Sequence, residues 1–215
     1  MTVIPQTHAL RRLASDAFDA VLVPEGFNRV ERKYTWVRRT SELVHVVAVL
    51  HRRRQYDIQW GVVSPEAAEL LWGRAADPTD VGQSVMSGTP GNIRHPAPGQ
   101  SWTLDEVTDG QLQQIIEAVR ADLEVVAKRL NAFQRRRDLM TYLLQNRDRI
   151  DRRDFLIPAN LPLKLVTATA LALADHDKQA CDLLPEVDRE MARYRDRLSV
   201  ERVGRLRQAA GALCS

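Results

Sequence analysis

At 215 residues the chain is long enough to bury a core without staples, and its 44% hydrophobic and 27% charged side chains exclude wholesale disorder. Its formal net charge is only +3: residues 1–63 carry ten basic against six acidic side chains, 64–130 five against ten, and 131–215 sixteen against twelve. No segment has the single-sign excess of a dedicated nucleic-acid binder.

The opening MTVIPQTHALRR lacks a signal-peptide core, and no run approaches the roughly eighteen apolar residues of a spanning helix. A cytoplasmic chain without a membrane segment is the expectation. Cys181 and Cys214 are too few and too unpatterned for a zinc site or a disulfide framework, and no cofactor or metal is expected.

From Thr7 to Val23, Leu10, Leu13, Ala14, Ala17, Phe18, Val21 and Leu22 fall at the three-and-four spacing of one helical face. Pro24-Glu25-Gly26 then ends the helix. Three extended segments rich in Val, Ile, Tyr and Trp follow at roughly 27–38, 43–51 and 55–63.

Three-residue loops at Arg39-Thr40-Ser41 and Arg52-Arg53-Arg54 would set even-numbered residues opposite even-numbered ones across both hairpins. One face would then hold Val30, Tyr34, Trp36, Val44, Val46, Ala48, Leu50, Tyr56, Ile58, Trp60 and Val62, a core surface for the first helix. A two-residue second turn would set Gln55, Asp57 and Gln59 beside Val46, Ala48 and Leu50, so the three-residue register is the expectation.

After Ser64-Pro65, PEAAELLWGRA has helical character. Residues 77–101, dense in Gly, Pro, Ser and Asp, read as a long loop around a fourth strand near Ile93. Thr103 to Glu106 has the form of a capping box ahead of an amphipathic helix through Leu112, Ile116, Val119, Leu123, Val126 and Leu130. Everything beyond it reads as helix, with Ser199 as a cap between the last two. The expected architecture is α+β: an N-terminal helix packed on an antiparallel sheet of three to five strands, followed by an α-helical C-terminal bundle. Residues 1–131 would form the sheet domain and 132–215 the helical region packed on it.

The order helix, PEGFNRVERKYTW, hydrophobic strand, YDIQWGV, and proline-rich loop ending in SWTL resembles a family of uncharacterised bacterial domains of unknown function. Gly26, Phe27, Arg29, Tyr34, Gly61, Arg94 and Trp102 carry the resemblance, and LALADHDKQACDLL resembles a tetratricopeptide pair. The chain departs from the family where an asparagine usually precedes the glycine closing the third strand, since Trp60 stands there. The resemblance implies a fold and no activity.

No phosphate-cradling, dinucleotide, nucleophile-elbow or zinc-helix motif is present. The candidate chemistry is a polar sheet face bearing Lys33, His45, His51, Asp57 and Gln59, where a carboxylate could orient a histidine for acid–base work. Alternation alone gives the same pattern on a solvated sheet. Asp175-His176-Asp177 reads as turn chemistry, with Asp177 capping the next helix.

The leading expectation is a non-enzymatic interaction factor with a protein partner, of immunity or antitoxin type or part of a bacterial defence or toxin system. Lys33, Arg52, Arg53, Arg54, Gln59, Arg94, Arg135, Arg136 and Arg137 are its candidate contacts. One alternative is a hydrolase or transferase using His45, His51 and Asp57 with Arg94 or His95. The other is a nucleic-acid binder using the two arginine triplets, less favoured because parity sends Tyr56 and Trp60 to the core rather than to stacking.

Overall fold

The computed structural model describes residues 3–93, 101–147, 161–192, 197–211 and 213–214. Helix α1 (Gln6–Leu13) continues through a π-helical turn (Ala14–Asp19) into α2 (Ala20–Leu22). Ala9, Leu13, Ala14, Ala17, Phe18 and Leu22 form its buried side, close to the stripe read from the sequence. A π turn holds one residue more than an α turn and so rotates the face that follows it. Here it lays Phe18 on Trp36, with ring centroids 4.5 Å apart, and lets Asp19 accept the Trp36 indole N–H at 2.6 Å. Gly26, at φ +83°, ends the rod: its N–H donates to Val23 O and that of Phe27 to Leu22 O, which satisfies carbonyls the helix leaves open.

Five strands follow in the order β1 (Asn28–Arg29), β2 (Thr35–Arg39), β3 (Val44–Arg52), β4 (Gln55–Val63) and β5 (Met86–Gly88), all antiparallel to their neighbours. The expected register is wrong by one residue in β3. Val47 stands opposite both Trp36 and Trp60, and Arg52 opposite Gln55, which leaves a two-residue turn of Arg53 and Arg54. At the other end Thr40 to Leu43 make a four-residue loop, closed by Thr40 N–H to Leu43 O and Leu43 N–H to Thr40 Oγ1.

The odd residues of β3 therefore share the helix side with Trp36, Tyr56, Ile58, Trp60 and Val62, and the even ones lie outside beside Gln55, Asp57 and Gln59. The expectation failed because β3 is apolar on both faces. Val44, Val46, Ala48, Val63 and Val81 form a second cluster on the outer face, with Val37 and Ala76 against it. The segment after the next helix covers that half of the sheet. Gly61 is what lets it close, since a Cβ there would stand 2.0 Å from Ser84 Oγ.

Helix α3 (Pro65–Trp72) is capped by Ser64 and ends on Gly73 at φ +68°. The strand expected near Ile93 lies earlier, as β5, and Ile93 instead ends the short helix α4 (Pro90–Ile93). Helix α5 (Asp109–Asn131) starts later than expected, with Thr108 and Gln111 as the reciprocal capping pair; Thr103 to Glu106 is a turn, with Glu106 at φ 56°. Its buried stripe of Leu112, Ile116, Val119, Leu123, Val126 and Leu130 matches the sequence reading.

Helices α6 (Arg136–Gln145), α7 (Leu161–Ala174), α8 (Gln179–Met191) and α9 (Arg197–Ala210) complete the chain. Ser199 lies inside α9, not before it. Asp177 accepts the Gln179 N–H at 2.9 Å at the start of α8, one residue before the N-cap position, which Lys178 occupies without a side-chain cap. Helix α7 is the hub, touching α3, α6, α8 and α9, and one apolar core runs from α1 and the sheet into all four late helices. Cys181 and Cys214 are joined in a disulfide, which corrects the reading of them as unpatterned. Among the described residues no helix is long and apolar enough to cross a membrane.

Candidate functional site

The His/Asp cluster expected on one polar face is not assembled. His45 and His51 lie on the helix side of the sheet, whereas Asp57 and Gln59 lie on the outer side. His45 is fully buried. Its Nδ1 accepts from the Arg38 guanidinium at 2.9 and 3.2 Å, so Nε2 carries the proton and donates to Phe133 O at 2.6 Å. Burial, and then the Arg38 charge, push its pKa down to about 4 against the opposing pull of the Phe133 carbonyl. Both ring nitrogens serve the fold.

Arg38 is the centre of that clasp. Its guanidinium also donates to Glu25 O at 2.9 Å and Asn131 Oδ1 at 2.6 Å and lies 4.7 Å over the Phe27 ring. The end of the first helical rod, the sheet and the end of α5 thus meet on one side chain.

The second arginine triplet divides in a similar way. Arg136 donates to Glu66 at 2.8 Å and to Asp175, and its backbone N–H donates to Glu42 at 2.9 Å. It ties α6 to α3, to the α7–α8 turn and to the β2–β3 loop. Asp138 accepts the N–H groups of Gln134 and Arg135, and the side chains of Arg135 and Arg137 are exposed.

The first triplet is different. Arg52, Arg53 and Arg54 are all exposed, with Arg53 at φ 49° and Arg54 at φ 72°. The β1–β2 loop lies at the same end of the sheet, because the Val49 N–H donates to Tyr34 O at 2.9 Å. That loop bounds a concavity of about 330 Å³ lined by Arg29 to Tyr34, with Arg32 at φ 60°. Against the exposed cations Arg32, Lys33, Arg52, Arg53 and Arg54 stand the carboxylates Glu31 and Asp57, with Asp105 near Tyr56 on the helix side. None of Arg32, Arg52, Arg53 and Arg54 forms an ion pair with a described residue.

Lys33 donates to Thr79 Oγ1 at 3.0 Å, and Thr79 in turn donates twice to Asp77. Those two bonds hold the Asp77 carboxyl below its usual range, and Lys33 adds to the effect. Arg29 is spent internally: it lies 5.2 Å over Tyr34 and 5.3 Å over Trp36, and 3.7 Å from Asp19.

On the outer face the row Arg52–Gln55 is followed by Leu50–Asp57 and Ala48–Gln59, with Leu50, Asp57 and Gln59 half-buried. On the helix side the exposed His51 ring stacks flat on Tyr56, with centroids 4.6 Å apart, while Tyr56 and Trp60 are buried as the sequence suggested. Gln59 lies at the middle of β4 on the outer face, and the fold thus gathers Lys33, Arg52, Arg53 and Arg54 of the expected contacts at one sheet end. It adds Arg32, which the sequence reading missed, and leaves the Arg135–Arg137 stretch on the helical half. Arg94 and His95 lie outside the described residues.

A larger groove of about 610 Å³ lies between α3, the end of α7 and α9, lined by Leu70, Leu173, Ala174 and Leu213 with Glu69 and His176. Among the described residues no group of three or more His, Cys, Asp or Glu side chains is placed to hold a metal. Comparison with protein families, curated proteins and solved structures finds no match for the chain.

Proposed function

We propose that the chain is a non-enzymatic interaction factor that receives an acidic segment of a protein partner on the basic end of its sheet. One observation carries this reading. Arg32, Arg53 and Arg54, exposed at that end, occupy the left-handed backbone region. An L-residue pays about 1 kcal/mol or more there, and Asn or Gly would serve these turns at lower cost. Strained backbone kept with long cationic side chains, rather than relieved by a turn residue, supports a reading in which the cation itself is used.

The shape of the site favours protein over nucleic acid. The half-buried Leu50 and the polar Gln55 beside the arginines, with Gln59 further along the same face, suit a mixed protein surface. Single-strand binders need open aromatic faces, and Tyr56 and Trp60 are buried. An immunity, antitoxin or defence role would supply a partner of this kind, and the acidic-segment reading does not depend on it.

Titration of the full chain with a fluorescent Asp/Glu-rich peptide and with a single-stranded oligonucleotide tests the proposal. The peptide should bind at low salt and weaken when Arg53 and Arg54 are both changed to Glu. Oligonucleotide binding without peptide binding would transfer the site to the nucleic-acid reading, and binding of neither would end both.

A further inference from the structure

We propose that the Cys181–Cys214 disulfide is a redox-operated latch on the wall of the helical groove, opened by a small dithiol or a dithiol-bearing oxidoreductase. The bond joins the first turn of α8 to the segment just beyond α9. Cys214 is an exposed residue and Cys181 a half-buried one, so Cys214 is the side from which a thiolate in solvent approaches the bond in this proposal. Exposed disulfides are the reducible ones, since exchange needs access of the attacking thiolate to a sulfur.

The moving part is small. Helix α9 is held without the disulfide: Arg205 donates to Leu70 O at 2.9 Å and Leu71 O at 2.6 Å, Arg207 pairs with Asp188 at 2.8 Å, and Val203, Leu206 and Ala210 are buried. Beyond Ala210 the described backbone bonds are those of one turn, from Leu213 N–H and Cys214 N–H to Ala210 O and from Gly211 N–H to Arg207 O and Gln208 O. Leu213 lines the groove, next in sequence to the bonded Cys214. Opening the bond releases the Leu213 wall while α9 stays docked.

The chemistry balances. A thiolate of the dithiol attacks Cys214 Sγ, the S–S bond breaks, and Cys181 leaves as a thiolate that takes a proton from water. The second thiol of the reductant attacks the mixed disulfide and frees Cys214. Two electrons pass to the protein, and the dithiol ends as a disulfide. Closure is the reverse exchange with a disulfide oxidant.

Hydrogen exchange by mass spectrometry, with iodoacetamide counting thiols, tests the latch on the full chain. The oxidised protein should take no label, and millimolar dithiothreitol under native conditions should expose two thiols. Faster exchange should then be confined to peptides after Ala210 and to those of the groove wall on α3, and a Cys181→Ser/Cys214→Ser variant should copy that pattern. Two free thiols in the air-oxidised protein, or resistance to dithiothreitol short of denaturant, would overturn the proposal. So would unchanged exchange on reduction, or loosening throughout α7 and α8, which would make the bond a staple instead.

Discussion

Arg53 and Arg54 alone turn the β3–β4 hairpin, both in the left-handed region, between the facing pair Arg52 and Gln55. A two-residue turn with positive φ at both positions is the geometry Asn-Gly adopts most readily, because it matches the twist of the flanking strands. Relieving the strain and removing the charge should therefore act in opposite directions. Arg53→Asn/Arg54→Gly is expected to stabilise the fold by about 1 kcal/mol, raising Tm by roughly 2–4 °C, and to weaken acidic-peptide binding about tenfold at low salt. A variant that gains stability and keeps full binding would remove the arginines from the site.

His45 gives the fold a pH dependence whose sign follows from its burial. Its folded pKa, about 4, lies below the unfolded value near 6.5, so between these values the unfolded chain binds the extra proton. The stability it confers is complete above about pH 6.5 and is lost as pH falls toward 4, on the order of 3 kcal/mol across the window. Urea unfolding from pH 7.5 to 4 should show this loss. In His45→Gln the slope should flatten by up to one proton, while the variant is less stable than the parent at pH 7. An unchanged slope would mean that the imidazole is not buried neutral.

Much of this architecture is legible in the residues themselves. The stripes of α1, α2 and α5 and the extents of β3 and β4 follow from period and turn residues, whereas the segment expected at 27–38 divides into β1 and β2 around the loop of residues 30–34. The β3 register does not, because VHVVAVL is apolar at both parities and carries no pattern to choose by. What decides it is the cover over Val44 and Val46, which comes from Val81 and Ala76 some thirty residues later. The site depended on that register: one residue of slip turns His45 from a surface base into a core ligand of Arg38 and Phe133. Arg32 and Arg53 come to the same end of the sheet only through the order of strands, which no local window contains. The disulfide was equally hidden, since a pair 33 residues apart has no signature until two helices fold together.

Gly61 tests the outer cover independently. A Cβ at this position would meet Ser84 Oγ at 2.0 Å and Ser84 Cβ at 2.8 Å. Gly61→Ala should destabilise the protein by about 1–3 kcal/mol, the usual cost of overpacking a filled site. Adding Ser84→Ala should recover little, because the Ser84 Cβ contact persists, whereas adding Ser84→Gly should recover much of the loss. Equal recovery by both second changes in thermal melts would place the clash elsewhere.

Arg136 separates the two readings of its triplet. Its side chain, 13% exposed, holds Glu66 on α3 and Asp175 in the α7–α8 turn, whereas those of Arg135 and Arg137 reach solvent. Arg136→Met keeps most of the stem packing but leaves both carboxylates without their cation, and the partly buried Asp175, 27% exposed, loses most. The expected cost is about 1–3 kcal/mol, and Arg136→Lys should restore only part of it, since a single ammonium does not reproduce a planar fork bonded to two carboxylates. Arg135→Ala and Arg137→Ala should each fall within about 0.5 kcal/mol of the parent. A phosphate-binding triplet would behave the other way round: the three changes would weaken oligonucleotide binding comparably, reduce its salt dependence, and leave denaturation midpoints alone. Measuring both quantities on the same three variants therefore decides whether this stretch is a joint of the helical half or a contact surface.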